Sequence, residues 1–293
     1  MKRVLSTLLS LSIIFGTMLC FPESSYAASP IENIYVNGVP IEFSEAERPY
    51  IQNDRTMVPL RAIAEALGAT VYWFNADKKI QMVRYDTTLR LFIGLPGLDI
   101  YKIENGEQNK VDTVELDAPA FQGDETRDYR TFVPARAISE AFGADVNAKF
   151  VDNDETKINR AMNVYIVDDY DESKENKVSI AELYDNNEIK TETLISTTGI
   201  ISKIDSNYYL QDEDEPFKMI SLTQIPDVED FWTEQLGAAN NNPKGIKVKI
   251  TGMVSLEDGA YSMPLRRGST GIRPIGATSS NKGTVTDKNL FAD

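Results

Sequence analysis

Two stretches decide the fold: RTMVPLRAIAEALGA at residues 55–69 and RTFVPARAISEAFGA at residues 130–144. They are identical at 11 of 15 positions and lie 75 residues apart, which indicates one supersecondary unit used twice. The recurring structural positions are Arg55, Pro59, Arg61, Glu65 and Gly68 in the first copy, and Arg130, Pro134, Arg136, Glu140 and Gly143 in the second.

Each copy predicts a short amphipathic helix. In the first copy, Leu60, Ile63 and Leu67 recur at the spacing of one apolar helix face. Pro59 suits the first turn, where its missing N–H costs nothing, and Gly68 supplies a left-handed cap. A helix of about nine residues is too short to be stable alone, so it must pack on a sheet.

Antiparallel strands are predicted around both helices. The run IYVNGVPIEF at residues 34–43 places Asn37-Gly38 between two short apolar stretches, which is typical of a β-hairpin. The runs at residues 78–85 and 87–94 alternate with period 2. Helices set against antiparallel strands predict an α+β fold, built from repeated hairpin, short-helix and antiparallel-strand units.

The remaining chain predicts further units. Residues 169–190 are acidic and without apolar periodicity, which indicates a linker, and residues 277–293 indicate a flexible tail. Between residues 191 and 276, three strand candidates, a helical stretch and two more strand candidates resemble an OB-fold, a small β-barrel. The two repeat units are predicted at residues 28–94 and 95–168.

The N-terminus predicts export. A basic pair precedes an apolar run that ends in small residues at Ala27, which is the layout of a secretory signal peptide over residues 1–27. A membrane anchor is one alternative. Lipid attachment at Cys20 is another, although Leu19 stands where a lipoprotein signal has a small residue. Cleavage after Ala27 removes the only cysteine, so the exported chain has no disulfide.

VNG at residues 36–38, followed by RTMVPLRAIAEALGATVYW at residues 55–73, resembles the copper amine oxidase N-terminal-like, or stalk, domain family. That family is common in secreted and cell-surface proteins of spore-forming Gram-positive bacteria. The resemblance covers about residues 31–167 and implies a non-catalytic domain. The second copy lacks a counterpart of Trp73, and Phe150 is the candidate for that role.

The composition limits the chemistry. The absence of histidine removes Ser-His-Asp and Cys-His catalysis and every histidine-ligated zinc or copper site, including that of an amine oxidase. A net charge of −15 argues against nucleic acid or an anionic membrane as partner. We expect no enzymatic activity, cofactor or metal. Three alternatives stay open: a carboxylate-dependent glycan hydrolase, an oligonucleotide-binding barrel, and calcium at acidic residues 152–155 or 212–215.

A basic stretch near the C-terminal end is the candidate binding site. Residues 244–275 hold six basic side chains against two acidic ones. The candidate ligand-binding residues are Lys247, Lys249, Arg266, Arg267, Arg273, Tyr209 and Tyr261. One interpretation is a site for an anionic ligand or glycan, and the other is charge balance against acidic segments with the tyrosines in the core. The sequence predicts a secreted or wall-associated Gram-positive binding and scaffold protein, whose partner is a cell-wall polymer, glycan or envelope protein.

Overall fold

The computed structural model describes residues 31–104, 106–151, 161–186, 189, 192–205, 207–224, 246–265 and 270–275. The strands are β1 (Ile31–Val36), β2 (Val39–Pro40), β3 (Tyr50–Gln52), β4 (Arg55–Pro59), β5 (Thr70–Phe74), β6 (Lys79–Arg84), β7 (Thr87–Phe92), β8 (Gly97–Glu104), β9 (Glu107–Glu115), β10 (Phe121–Gln122), β11 (Thr131–Pro134), β12 (Asp145–Phe150), β13 (Met162–Val167), β14 (Thr193–Ile204), β15 (Asn207–Gln211), β16 (Met219–Gln224), β17 (Ile246–Glu257), β18 (Ala260–Leu265) and β19 (Gly271–Pro274). The helices are α1 (Leu60–Ala66), α2 (Ala135–Ala141) and α3 (Ile180–Asn186). The predicted signal peptide, the helical stretch at residues 227–237 and the C-terminal tail lie outside the described residues.

The fold is mainly β, so the prediction of an α+β fold is wrong. Strands hold 55% of the described residues, and helices, with four three-residue 3₁₀ turns included, hold 16%. The repeated motif does form helices, but α1 and α2 have seven residues each, about two turns. They pack against strands without forming a layer of their own. Because the repeated motif is the most recognisable stretch, its helices dominate the sequence-based expectation although they are a small part of the chain.

The two copies of the motif meet across one antiparallel strand pair. β4 pairs with β11, and Val58 lies opposite Val133. These valines occupy the same position of the two copies, so the pair is centred on a local pseudo-two-fold axis. Helices α1 and α2 follow β4 and β11 directly and contact each other. β3 and β10 complete a four-stranded sheet in the order β10-β11-β4-β3.

The strands that follow the two helices join different sheets. β5 begins a five-stranded antiparallel sheet in the order β5-β6-β7-β8-β9. β12 belongs to a four-stranded sheet, β12-β13-β1-β2, in which β1 pairs in parallel with β13. The two motif copies share one hydrophobic core and form one body. The division into units at residues 28–94 and 95–168 stays a prediction. Buried members of this core include Ile34, Val58, Leu60, Ile63, Met82, Leu89, Val133, Ile138, Val164 and Ile166.

The strands from β14 to β18 form a closed five-stranded barrel. Their order is β14-β15-β16-β18-β17, and β14 pairs with β17 to close the ring. β16 and β18 are parallel, and β19 pairs with β17 outside the ring. The sequence predicts a barrel in this region with two strands after the helical stretch, whereas the structure has three strands there. A turn at Asp258 and Gly259, both with positive φ, separates β17 from β18.

Helix α3 packs against the barrel at a point where only glycine fits. Ile180 and Leu183 of α3 belong to the barrel core. A Cβ atom on Gly199 of β14 would lie 2.6 Å from the Gln211 carbonyl oxygen and 2.8 Å from Cδ1 of Ile180. Both distances are shorter than a normal carbon contact, so a side chain at position 199 would push α3 and β15 away.

Replacing Gly199 with Ala is therefore expected to lower the free energy of unfolding by about 2 kcal/mol, as overpacking does in other cores. Gly97→Ala is the matched control, because a Cβ there would meet only Thr113 Cγ2, at 3.9 Å. That control should change the free energy of unfolding by about 0.5 kcal/mol or less. Urea unfolding followed by circular dichroism measures both variants, and equal effects would contradict the packing argument.

Candidate functional site

The barrel docks on the five-stranded sheet through the outer face of β5. Thr70 Oγ1 accepts a hydrogen bond from the Ile272 amide at 2.9 Å and donates one to the Ile272 carbonyl at 3.1 Å. The Tyr72 hydroxyl donates to the Thr270 carbonyl, and its ring is fully buried among barrel core side chains. Val71 lies in the core on the other side of the sheet. β5 is therefore buried on both faces, and this fixes the barrel to the body that contains both motif copies (residues 31–104, 106–151 and 161–167), which we call the repeat body.

A cavity of about 160 Å³ lies at this junction. Its walls come from the end of α1, from β6, from the segment after β13, and from β17 and β19. Three cations and three carboxylates line it: Arg84, Lys249, Arg273, Asp168, Glu172 and Glu175. The cavity is thus a charged site at the contact between the repeat body and the barrel.

Arg84, the last residue of β6, joins the ends of both repeat helices. Its guanidinium donates to the Leu67 carbonyl at 3.1 Å and to the Phe142 carbonyl. These residues are the C-terminal caps of α1 and α2. The guanidinium also pairs with Asp168 at 2.6 Å. Carbonyl groups at a helix C-terminus lack partners within the helix and carry partial negative charge, so one cation stabilises both ends.

The Arg84–Asp168 pair is buried, with side chains 6% and 8% exposed. Burial lowers the pKa of Arg84, although Asp168 opposes this shift, and an arginine stays charged in a protein. Sequence reasoning did not identify Arg84. The signal is nevertheless present, since Ile80, Met82 and Arg84 alternate on the same buried face of β6, and a cation there requires partners.

Lys249 holds the second group of charges in the cavity. Its Nζ lies 2.8 Å from Glu175 Oε2 and 3.3 Å from Glu172 Oε2. The Tyr170 hydroxyl donates to Glu175 Oε1 at 3.0 Å. Burial and the charge of Glu175 raise the pKa of Tyr170. Burial alone would raise the pKa of Glu172, but the surrounding cations, Lys249 first, lower it overall. Glu172 is therefore an anion and Tyr170 a neutral phenol at neutral pH.

The structure brings together two of the predicted ligand-binding residues. Lys249 on β17 lies opposite Arg273 on β19, and both line the cavity. Lys247 instead forms an ion pair with Glu213 in the acidic run at residues 212–215. Each of these three cations has a carboxylate partner, and that of Arg273 is Glu172.

Neither of the two predicted tyrosines lines the cavity. Tyr261 is buried in the barrel core, where its hydroxyl donates to the Leu183 carbonyl at 2.6 Å. Tyr209 is half-buried on β15. Arg266 and Arg267 lie outside the described residues. The predicted combination of basic side chains with tyrosines is therefore not assembled at this cavity.

The motif residues support the repeat helices. Pro59 and Pro134 occupy the N-cap positions of α1 and α2, one residue before the first turn in which the sequence predicts Pro59, and they make no side-chain capping hydrogen bond. Gly68 and Gly143 follow the C-terminal caps with φ of +82° and +88°. Trp73 packs against the shared core. The ion pairs are Arg55–Asp117 at 2.6 Å, Arg61–Glu65 at 3.2 Å, Arg130–Glu47 at 3.6 Å and Arg136–Glu140 at 3.6 Å.

The segment that contains both motif copies is similar to a known family. A family model for the copper amine oxidase N-terminal domain matches residues 35–158. The resemblance of this segment is confirmed, and it indicates a non-catalytic, stalk-like domain. The match is continuous, covers less than half of the chain and excludes the barrel. A search of the curated proteins finds no match.

The described ranges contain no group of three His, Cys, Asp or Glu side chains that could hold a metal ion. In the acidic run at residues 212–215, Asp212 Oδ1 accepts the Asp214 amide at 3.0 Å and the Glu215 amide at 3.1 Å, which shapes a turn. The run at residues 152–155 lies outside the described part.

Among the described helices, none has the length and apolar character needed to cross a bilayer.

Replacing Arg84 with Met leaves Asp168 buried without its cation and both helix ends without a cap. We expect the free energy of unfolding to fall by about 3 kcal/mol, as when one partner of a buried pair is removed. Arg136→Met is the matched control, because Arg136 and Glu140 are 62% and 56% exposed. The control should cost about 0.5 kcal/mol or less. Urea unfolding measures both, and similar losses would argue against a central role for Arg84.

The raised pKa of Tyr170 predicts a loss of stability in alkaline solution. The folded state favours the neutral phenol of Tyr170. This group therefore stabilises the fold fully at pH values below the pKa of an unfolded tyrosine, about 10, and its contribution to the free energy of unfolding declines as the pH rises above that value. Tyr170→Phe removes this group. The free energy of unfolding should then fall less steeply with pH in alkaline solution, by the slope that corresponds to about one proton. Urea midpoints at about pH 9 and about pH 11 test this, with Tyr209→Phe as control. Unchanged alkaline decline in Tyr170→Phe would contradict the assignment.

Proposed function

We propose that this chain is an exported, non-catalytic binding and scaffold protein of a Gram-positive-type envelope. Its ligand is a cell-wall polymer, a glycan or an envelope protein. The stalk-like similarity over residues 35–158 supports the scaffold role, and the signal-type pattern at residues 1–27 supports export. A barrel fixed to the repeat body through β5 suits the presentation of a binding surface at a constant orientation.

The pairing of the cavity carboxylates with cations is the observation that carries this proposal. The pairs are Asp168 with Arg84, Glu175 with Lys249, and Glu172 with Lys249. A glycan hydrolase requires a carboxylic acid whose raised pKa keeps it protonated, together with a second carboxylate as base or nucleophile. The pKa of Glu172 is shifted in the opposite direction. The cavity therefore favours contact with a ligand over cleavage of one.

The barrel supports a binding role of the same kind. Its five closed strands and its parallel β16–β18 pair fit an OB-fold, the assignment that we propose. OB-folds bind oligosaccharides or oligonucleotides on the face of their second and third strands and on the neighbouring loops. A net charge of −15 limits contact with any polyanion to a local basic site, and export would separate the chain from intracellular nucleic acid, so a wall polymer or glycan is the preferred ligand.

Retention on purified Gram-positive cell wall tests the proposal. Protein collected from the culture medium should begin at Ala28, bind the wall at low salt and cleave none of its bonds. Wall stripped of its anionic polymers serves as the matched control and separates polymer binding from peptidoglycan binding. Absence of retention at both low and high salt, or release of sugar from the wall, would contradict the proposal.

A further inference from the structure

Three cations surround the carboxylate of Glu172. Lys249 Nζ lies 3.3 Å from Glu172 Oε2, and Lys177 Nζ lies 3.6 Å from the same oxygen. Arg273 Nη1 lies 4.0 Å from Glu172 Oε1. These cations come from β17, from the segment before α3 and from β19, so separate parts of the chain converge on one oxyanion.

The guanidinium of Arg273 lies against Gly68, at the end of α1. A Cβ atom on Gly68 would lie 2.8 Å from Arg273 Nη1, so the absence of a side chain at Gly68 makes room for the cation. Arg273 remains 44% exposed. The site therefore offers a positioned and accessible guanidinium.

Glu172 is the replaceable member of this cluster. Its side chain is 50% exposed, and that of Lys177 is 52% exposed. Glu175, by contrast, is 4% exposed and is held by Lys249 and by the Tyr170 hydroxyl. If Glu172 moves away, Glu175 keeps its contacts with Lys249 and Tyr170, and the cluster then holds three cations and one carboxylate. The cluster becomes a positive site within a chain of net charge −15.

We propose that Lys177, Lys249 and Arg273 form a binding site for an oxyanion group of an anionic wall polymer, and that Glu172 occupies this site in the free protein. This inference rests on the proposed binding function. The guanidinium matches phosphate or carboxylate oxygens, while the two ammonium groups add charge without a fixed geometry. Binding of the polymer displaces the Glu172 side chain into solvent.

The test compares Glu172→Gln with the wild-type chain in binding to two probes, poly(glycerol phosphate) and polygalacturonate. The substitution removes the internal competitor and one like charge, so we expect about tenfold tighter binding at low salt, with the gain lost at high salt. Glu125→Gln is the matched control, because Glu125 is exposed, lies in a different loop and changes the net charge equally. It should bind as the wild type does.

Arg273→Ala in the Glu172→Gln background should remove the gain, whereas Arg48→Ala, at an exposed Arg48–Glu45 pair, should retain it. A gain with only one probe identifies phosphodiester or carboxylate as the preferred group, and a gain with both indicates general oxyanion binding. No gain with either probe, or a gain that survives Arg273→Ala, would overturn the inference. Urea midpoints close to that of the wild type verify that every variant is folded.

Wall retention separates this inference from the proposed function. If the chain binds cell wall but Glu172→Gln and Arg273→Ala leave that binding unchanged, the function stands and this site is wrong. If Glu172→Gln binds a probe more tightly while no form of the chain binds cell wall, the site stands and the envelope function is wrong.

Discussion

The buried guanidinium of Arg84 is the contact on which the rest of the arrangement depends. It satisfies carbonyl groups at the ends of both α1 and α2 and pairs with Asp168, the first residue after β13. The Asp168 amide also donates to Asn37 Oδ1 at 2.8 Å, in the turn between β1 and β2. One charge therefore joins the two helices, the N-terminal hairpin and the start of the chain that leads to the barrel. Without the guanidinium, the two helix-end carbonyl groups and the buried Asp168 carboxylate would lose a hydrogen-bond partner.

The repeated motif explains why the two copies form one body. A two-turn helix cannot bury its apolar face alone, and each copy covers the helix of the other across the Val58–Val133 pair. The chain then closes the body by pairing β1 with β13, which brings the first described strand beside the last strand of the second copy. Because β1 and β13 are far apart in sequence, their pairing joins the first and last strands of this body. Local unfolding of one copy would therefore expose the core that both copies share.

The sequence predicts the local features and misses the non-local ones. The helix between Pro59 and Gly68 and the hairpin at Asn37-Gly38 depend on residues within a few positions, and both appear in the structure. The parallel β1–β13 pair leaves no local signal, since neither strand differs in pattern from an antiparallel one. In the candidate site, the sequence places Lys249 and Arg273 in one basic stretch. The β17–β19 pairing that sets them opposite each other, and the path of the segment that brings Glu172 to them, are set by tertiary contacts.

The acidic segment after β13 has a structural role that its composition conceals. Its charge density predicts a solvated linker, yet it supplies the buried Glu175 and a short turn in which Asp171 accepts the Ser173 amide. In a chain of net charge −15, acidic side chains repel one another unless cations lie close by. The basic edge formed by β17 and β19 is such a place, so charge pairing between this segment and the barrel helps to select where the barrel docks. The same pairing keeps the basic edge covered until a stronger anion competes for it.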